Sequence, residues 1–340
     1  MSTRKVTSQD VARRAGVSQS AVSRVFTPGA SFSEKTAAKV RKAAGELGYR
    51  PNVLARSLIT GRSRIIGLVV AYLENYFYPD ALERLSNALQ AEGYHVLVFF
   101  ARQTAGDIED ILQEILDYQV DGIVVASVAL SSQLATRCRE AGIPVVLFNR
   151  SQDGPQLPTV TSDNYSGGRE IARFLAAGGH RRFGYIAGWE GASTQRDREA
   201  GYRAGLREAG CEICAREVGN YQLATAQEAA RRMFAGVDPP DAVFVANDHM
   251  AFAAMDVLRF EIGLRIPDDV SVIGFDDVPP AAWRAYDLTT VRQEASAMVA
   301  ETVRMLRANI EDPGTPPRSV CLPAVLITRN SARIPKGWLS

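Results

Sequence analysis

The sequence predicts a small all-α domain at the N-terminus and, in the rest of the chain, a two-lobed α/β domain built on doubly wound parallel sheets. Residues 1–64 carry 13 Lys and Arg against 3 Asp and Glu, whereas the rest of the 340-residue chain carries 26 basic and 35 acidic residues. Apolar runs typical of buried strands begin only at residue 65 and alternate with helical patterns, as they do in doubly wound proteins. A basic head on an acidic body indicates a protein that binds nucleic acid.

The basic head contains three predicted helices. The first begins at the candidate N-cap Ser8 and ends at Gly16, Ser18 caps the second, and Ser33 caps a third that covers residues 34–47. Two helices joined by a glycine-containing turn form the helix-turn-helix pattern. Because the apolar residues of the three helices can build one small core, we interpret residues 1–50 as a folded domain and not as a solvated tail.

In a helix-turn-helix the second helix enters the major groove, and its first residues reach the base edges. The amide of Gln19 can pair with adenine, the hydroxyl of Ser20 can donate or accept, and Ala21 can pack on a thymine methyl group. Arg24 is long enough to reach guanine or phosphate. The alternative is a merely solvated helix start, but the charge and the motif favour base contact. Contacts to phosphate, which position the protein, are predicted for the Lys and Arg residues and for Ser8, Ser18 and Ser23.

The stretch NVLARSLITG, residues 52–61, reads as a helix with leucines four residues apart. It is too short to be stable alone, since isolated helices of fewer than ~12–15 residues are marginal in water. We therefore treat residues 51–62 as a linker between the head and the α/β domain, which we place at residues 63–335.

The α/β domain shows eight apolar runs with helical patterns between them. The predicted strands cover residues 65–70, 95–100, 122–126, 144–148, 183–187, 242–246, 271–275 and 324–327. The predicted helices cover residues 78–92, 107–118, 131–141, 165–177, 195–209, 223–235, 248–261 and 294–310. Most of the runs lack alternation, so we expect strands buried on both faces of parallel sheets, and eight strands favour two lobes.

Polar side chains follow several of the predicted strands, where ligands of open α/β sheets bind. Asn75 and three aromatic residues follow the first strand, Asn149 and Arg150 the fourth, Asn247 the sixth, and Asp276 the seventh. Aromatic faces flanked by Asn, Asp and Arg suit a ligand rich in hydroxyl groups. The alternative is that these Asn and Asp residues only form turns and helix caps.

The sequence offers little for an enzyme, a metal or a membrane. It has no GxGxxG, GxxxxGK[ST], HExxH or GxSxG motif, and only His249 of the three histidines falls near the predicted site. The Cys211–Cys214 pair is a redox pair, half a zinc site or simply two small residues, and no second pair completes a metal site. We expect no cofactor. Without an apolar run of ~18 residues or a signal peptide, we expect a cytoplasmic protein.

Six segments together resemble the lac/galactose repressor family of bacterial transcription regulators: VTSQDVARRAGVSQSAVSRV, GYRPNVLARSLITGRSRIIGLVV, DNYSGG, ANDHMA, VIGFDD and LTTVRQ. The resemblance implies a head and a hinge helix joined to a body like the periplasmic sugar-binding proteins. It also implies a homodimer on a near-palindromic operator and a small-molecule effector, often a sugar or a nucleoside, between the lobes. The implied lobes are about 63–161 with 291–319, and about 162–290 with 320–335.

The family's functional positions carry over as expectations. In the hinge helix, Leu58 matches a leucine that wedges into the minor groove. Asn52 would cap the helix, Ala55 would face the partner helix, and Arg56 would lie near phosphate or the groove floor. The implied effector contacts are Asn75, Phe77, Asn149, Thr194, Arg198, Tyr221, Asn247, Asp276 and Gln293. The chain departs from the family where Tyr76 and Tyr78 flank Phe77, at Thr27-Pro28-Gly29, and where Glu294 replaces a common proline. No leucine heptad ends the chain, which favours a dimer over a tetramer.

Three functions remain open from the sequence. The leading one is a repressor whose operator affinity a small molecule controls. The second is a sugar-binding module with a vestigial DNA-binding head, and the third is an α/β enzyme with a DNA-binding appendage.

Overall fold

The computed structural model describes residues 6–27, 30–50, 62–71, 73–101, 111, 113–126, 132–152 and 157–338. Backbone contacts divide the chain into two compact units, Met1–Ser63 and Arg64–Ser340. The hinge positions predicted at Asn52, Ala55, Arg56 and Leu58 lie outside the described residues.

The first unit holds three helices, α1 (Ser8–Ala15), α2 (Gln19–Val25) and α3 (Glu34–Leu47). Their shared core is aliphatic: Val11, Val22 and Val40 are fully buried. One predicted cap is wrong, because Thr7 and not Ser8 caps α1. Thr7 accepts a hydrogen bond from the Asp10 amide at 3.3 Å, and its own amide donates to the Asp10 carboxylate at 3.0 Å, which is a reciprocal capping box.

The second unit begins with a six-stranded parallel sheet, which with its helices we call the first lobe. The strand order is β11-β5-β4-β3-β1-β2. The strands are β1 (Ile65–Val70), β2 (His95–Phe100), β3 (Gly122–Ala126), β4 (Val145–Phe148), β5 (Thr159–Ser162) and β11 (Ser319–Leu322). Helices of this lobe include α4 (Phe77–Ala91), α5 (Ser132–Glu140) and α10 (Ala295–Glu311), and residues 113–117 are also helical.

A four-stranded parallel sheet with its helices forms the second lobe, in the order β7-β6-β8-β9. The strands are β6 (Phe183–Ala187), β7 (Ile213–Val218), β8 (Ala242–Val245) and β9 (Ser271–Ile273). The helices are α6 (Asn164–Ala177), α7 (Ser193–Glu208), α8 (Leu223–Phe234) and α9 (Asp248–Asp256), and α9 continues as one π-helical turn, Val257–Glu261. The predicted doubly wound, two-lobed fold is confirmed.

Two strand predictions need correction. The run at 324–327 was expected in a parallel sheet, but as β12 (Ala324–Ile327) it pairs antiparallel with β10 (Thr290–Gln293) in a separate ribbon. β2 was expected to be buried on both faces, but it is an edge strand whose Val98 and Phe100 are 44% and 59% exposed.

The chain passes three times between the lobes. It leaves the first sheet after β5 to enter α6, and it returns along β10 to α10, which packs on α4, β3 and β4. It leaves again after β11, because Ser331 beyond β12 donates to the carbonyl oxygen of Val272 in β9 at 2.6 Å. The ribbon of β10 and β12 therefore contains two of the three crossings.

Candidate ligand cleft and DNA-reading helix

The start of α2 presents the predicted base-contacting side chains on one surface. Ser18 caps the helix by accepting from the Ala21 amide at 3.2 Å, and it shares a hydrogen bond of 2.9 Å with Ser20. The amide of Gln19 donates to the hydroxyl of Ser8 on α1 at 3.0 Å, so one side chain links the two helices of the motif. Gln19, Ser20, Ser23 and Arg24 are exposed. The arrangement leaves this surface open to a large polar partner.

The nine predicted effector contacts lie in the second unit, and each is at most 5% exposed. They are Asn75, Phe77, Asn149, Thr194, Arg198, Tyr221, Asn247, Asp276 and Gln293. Seven of them are uncharged polar or aromatic residues, and buried polar groups in such number need hydrogen-bond partners.

Arg198 on α7 is held in one orientation by three hydrogen bonds. Its Nε donates to Oδ1 of Asn164 at 2.8 Å, its Nη1 to the carbonyl oxygen of Ala246 at 2.6 Å, and its Nη2 to Asp276 at 3.2 Å. The guanidinium also lies 3.7 Å from the ring centroid of Phe275, a close cation–π contact. Arg198 is therefore a buried cation held in place within the candidate site.

Asp276 connects the two lobes at this point. Besides Arg198 of the second lobe, it accepts from Nε2 of Gln293 on β10 at 2.7 Å and from Nδ2 of Asn75 after β1 at 3.4 Å. Burial raises the pKa of the Asp276 carboxyl, while Arg198, Gln293 and Asn75 act against that rise.

Other aromatic and polar groups of the candidate site contact one another. Nδ2 of Asn149 donates to the hydroxyl of Tyr78 at 3.3 Å, and the hydroxyls of Thr194 and Tyr221 lie 3.3 Å apart. The guanidinium of Arg150 lies 5.7 Å from the ring centroid of Tyr221, across the lobe boundary.

Arg150 reaches a second ring of the other lobe, Trp189, at 5.9 Å. Beside it, the amide of Ser151 donates to the hydroxyl of Ser193 on α7 at 3.0 Å. Arg150 and Trp189 were not among the predicted contacts. The only signal for Arg150 was its place next to Asn149 at a strand end, and Trp189 gave none.

Four buried polar atoms of the cleft have no hydrogen-bond partner among the described residues. They are Oδ1 of Asn149, Nδ2 of Asn247, Nε2 of His249 and Oε1 of Gln293. Leaving such a group unsatisfied costs about 1–3 kcal/mol, so their presence together indicates a place for a ligand. Because donors and acceptors are mixed, a ligand with hydroxyl groups, which can do both, fits them best.

Backbone strain gathers at the same place. Asn149, Tyr221, Asp276 and Asp277 have φ of 67°, 59°, 127° and 55°. Side chains other than glycine rarely adopt positive φ, and such residues cluster at functional sites, where the surrounding structure holds them.

Asp248, the first residue of α9, fixes the loop after β9 from inside the second lobe. It accepts hydrogen bonds from the hydroxyl of Thr290 at 2.5 Å and from the Val278 amide at 3.0 Å. Burial first, and the neighbouring Asp276 second, raise its pKa from 3.8 to about 7.

We expect Asp248→Asn to change how stability depends on pH. Between its ordinary pKa of 3.8 and about 7, folded Asp248 keeps a proton that the unfolded chain releases, so the wild type loses stability as pH rises. Asparagine is uncharged throughout, and its oxygen can accept from the Val278 amide while its NH2 group donates to the Thr290 hydroxyl. Urea unfolding gives the free energy of unfolding of the variant minus that of the wild type. We expect this difference to be larger at about pH 8 than at about pH 5. A difference that is the same at both pH values contradicts the assignment.

Within the part of the chain that the structure describes, no three His, Cys, Asp or Glu side chains are placed to hold a metal. In the same residues, no helix is both long and apolar enough to cross a membrane. Cys211 is partly buried and Cys214 is exposed, and both are free thiols.

Both units match known protein families. Residues 7–52 match the family model of bacterial regulatory proteins, lacI family, and residues 172–332 match that of the periplasmic binding protein-like domain. The probable HTH-type transcriptional repressor ExuR of Bacillus subtilis (strain 168) is 30% identical over 335 residues, covering 96% of this chain and 98% of ExuR. The HTH-type transcriptional regulator CelR of Thermobifida fusca is 33% identical over 337 residues, with the same coverage.

Solved structures agree in fold over nearly the whole chain. The lac repressor dimer bound to operator and the anti-inducer ONPF has a TM-score of 0.87 at 27% identity and covers 96% of this chain and 99% of its own. A complex of CelR with cellobiose has a TM-score of 0.74 at 31% identity and covers 96% and 100%. With a basic helix-turn-helix unit, a two-lobed α/β unit and relatives of this similarity over 96% of its length, the chain belongs to the lacI family of bacterial regulatory proteins, which are DNA-binding transcriptional regulators.

Proposed function

We propose that this protein is a repressor whose affinity for a near-palindromic operator is set by a small hydroxyl-rich metabolite, of the sugar or nucleoside class, bound in the cleft between its lobes. The observation that carries the proposal is the set of buried, unpartnered polar atoms at Asn149, Asn247, His249 and Gln293. The nine residues named above are its proposed contacts.

The chemistry of the cleft supports a sugar-like ligand. The rings of Tyr221, Phe77 and Trp189 offer faces for the apolar side of a sugar, while amide groups and Arg198 offer hydrogen bonds to its hydroxyls. Arg150 adds a second cation, so an acidic sugar belongs among the candidates. The similar CelR protein is found in complex with cellobiose, and the lac repressor with ONPF.

The proposed operator contacts begin with Gln19, Ser20, Ala21 and Arg24 on α2. Ser8, Ser18 and Ser23 are proposed to lie near phosphate, and the hinge contacts of Asn52, Ala55, Arg56 and Leu58 stay predictions from the resemblance. Action on chromosomal DNA implies a cytoplasmic protein.

The test is operator binding with a panel of ligands. Purified protein is incubated with genomic fragments at low salt, alone and with cellobiose, galactose, glucuronate or adenosine. We expect selective capture of a near-palindromic site and a changed affinity with at least one compound. Failure to select any fragment in every condition would remove the proposal. Recovery of the compound unchanged after incubation is expected of a regulator, whereas a new product would favour the enzyme alternative.

Gln19→Ala is the matching test of the DNA-reading surface. Removing the amide takes away a bidentate base contact, worth about 1–3 kcal/mol of discrimination, so preference at one position of each half-site should relax. Selection from a randomised operator library measures that preference. Glu34→Gln, on the same unit but at the start of α3, serves as the control. An unchanged base preference in the Gln19 variant would exclude this residue from base reading.

We also propose a homodimer, because each lobe exposes apolar side chains. In the second lobe Phe260 is 81% and Trp283 54% exposed, and in the first lobe Phe100 is 59% exposed. The similar lac repressor is a dimer in its operator complex, and we propose that these side chains contribute to such an interface here. Sedimentation velocity should give twice the chain mass of 37.0 kDa, and Phe260→Asp should move the equilibrium toward the monomer.

A further inference from the structure

We propose that Asp277 is the positioning residue that passes ligand binding at Asp276 to the crossings between the lobes. This inference rests on the proposed function, since it concerns how an occupied cleft changes operator affinity. It assigns to Asp277 no contact with the ligand.

Asp276 and Asp277 are neighbours that point to opposite sides. Both have positive φ, 127° and 55°, which turns the chain sharply between them. Asp276 lies in the cleft against Arg198 and Gln293. Asp277 instead accepts from Nε of Arg292 at 2.7 Å and from Nη2 of Arg329 at 2.6 Å.

The two arginines belong to the two crossings in the ribbon. Arg292 is in β10, and Arg329 follows β12 by two residues. Arg329 also contacts the residues that precede β10. Its Nη1 donates to the carbonyl oxygen of Leu288 at 2.7 Å, and its amide donates to the hydroxyl of Thr289 at 2.8 Å. One carboxylate therefore joins both segments.

The contacts of Asp277 with Arg292 and Arg329 are tight enough to transmit a displacement. The side chain of Asp277 is only 6% exposed and that of Arg329 only 15%, so their ion pair is little weakened by solvent. The backbone is joined as well, since the Asp276 amide donates to the carbonyl oxygen of Val291 on β10 at 2.8 Å. A ligand that shifts Asp276 must shift Asp277, and with it the two strands whose course sets the angle between the lobes.

Coupling of this kind is separable from binding. A ligand changes a conformational equilibrium only by binding its states unequally, and the link between the sites can be cut while each site stays intact. Arg198, Gln293 and Asn75 hold Asp276 without using Asp277. Loss of the Asp277 charge should therefore spare ligand affinity.

The test measures both quantities in the full-length protein. Asp277→Asn keeps the size of the side chain, and Arg292→Met removes one partner at a half-exposed position, in case the first variant folds poorly. For each of the four panel compounds, calorimetry gives the ligand Kd and an operator titration gives the operator Kd with and without compound. Asp269→Asn is the control, because it breaks a similar ion pair, with Arg265 at 2.7 Å, on the surface of the second lobe.

We expect ligand Kd within about threefold of wild type in both variants, while the ratio of operator Kd values with and without compound falls to near one. The control should keep the wild-type ratio. A wild-type ratio in the Asp277 and Arg292 variants would overturn the inference and leave the proposed function standing. Ligand affinity lost in step with coupling would also overturn it, because Asp277 would then only support the binding site. If no compound changes the operator Kd of the wild type, the proposed function itself fails.

Discussion

Gly201→Ala is expected to cost the second unit about 3–5 kcal/mol of stability, the range of severe single substitutions. Gly201 lies where α7 crosses α6, and a methyl group there would stand 1.9 Å from the carbonyl oxygen of Tyr165 and 3.0 Å from the Arg169 nitrogen. Both are backbone atoms of α6, so no rotamer change relieves the clash and the helices must separate. Thermal unfolding should show a melting temperature lower by roughly 10 °C or more.

A matched glycine separates this effect from the general cost of replacing glycine. Gly236 has no atom within 4 Å of the position of an added methyl group, and its φ is not in the left-handed region. Gly236→Ala should leave the melting temperature unchanged or slightly raised, since alanine restricts the unfolded chain. Equal losses in the two variants would show that the helix crossing tolerates the added volume.

Arg198→Ala is expected to abolish the ligand response while operator binding without ligand stays intact. The substitution removes three hydrogen bonds and leaves Asp276 buried without its cation. A hydrogen bond from a charged group such as the Arg198 guanidinium is worth about 1.5–3 kcal/mol, so ligand affinity should fall by roughly 10-fold to 150-fold. Calorimetry with the panel compound that acts on the wild type measures the affinity, and operator titration measures the response.

Stability must be followed in the same variant, because the buried pair also supports the fold. Arg231→Ala is a suitable control, since Arg231 makes exposed ion pairs with Glu228 and Glu261 in the same lobe. A folded Arg198 variant with a normal ligand response would refute its role in the cleft.

Local chemistry made much of the fold predictable from the sequence. Ser18 and Ser33 were predicted as caps because their hydroxyls can accept a helix amide, and both do so at 3.2 Å. The cap of α1 was misplaced by one residue because Thr7 and Ser8 both carry a hydroxyl, and their spacing alone does not choose between them.

Elements that depend on distant partners were harder to predict. β5, with the sequence TVTS, and β7, with ICAREV, lack an apolar run and exist because neighbouring strands pair with them. β12 has an apolar run, but its direction depends on where the chain re-enters the second lobe. A continuous apolar run favours a strand of a parallel sheet, but it does not by itself fix the direction of that strand.

The residues of the cleft were likewise predictable from the sequence only in part. Its polar strand ends, such as Asn75 and Asn247, were visible because a general rule places ligands beyond the carboxyl ends of parallel strands. The contact of Arg150 with Trp189 and Tyr221 joins two lobes whose mutual position no local pattern encodes. The positive φ of Tyr221 was equally hidden, since a tyrosine gives no sign of a left-handed backbone.

That backbone strain has a consequence for how ligand preference can diverge among related regulators. At Asn149, Tyr221 and Asp276 a new side chain must also tolerate a left-handed backbone, so few replacements preserve the shape of the cleft. Thr194, within α7, and Asn247, with extended φ of −154°, carry no such restriction. New ligand preferences should therefore be acquired first at these two unstrained positions, and a redesign of the specificity should start there.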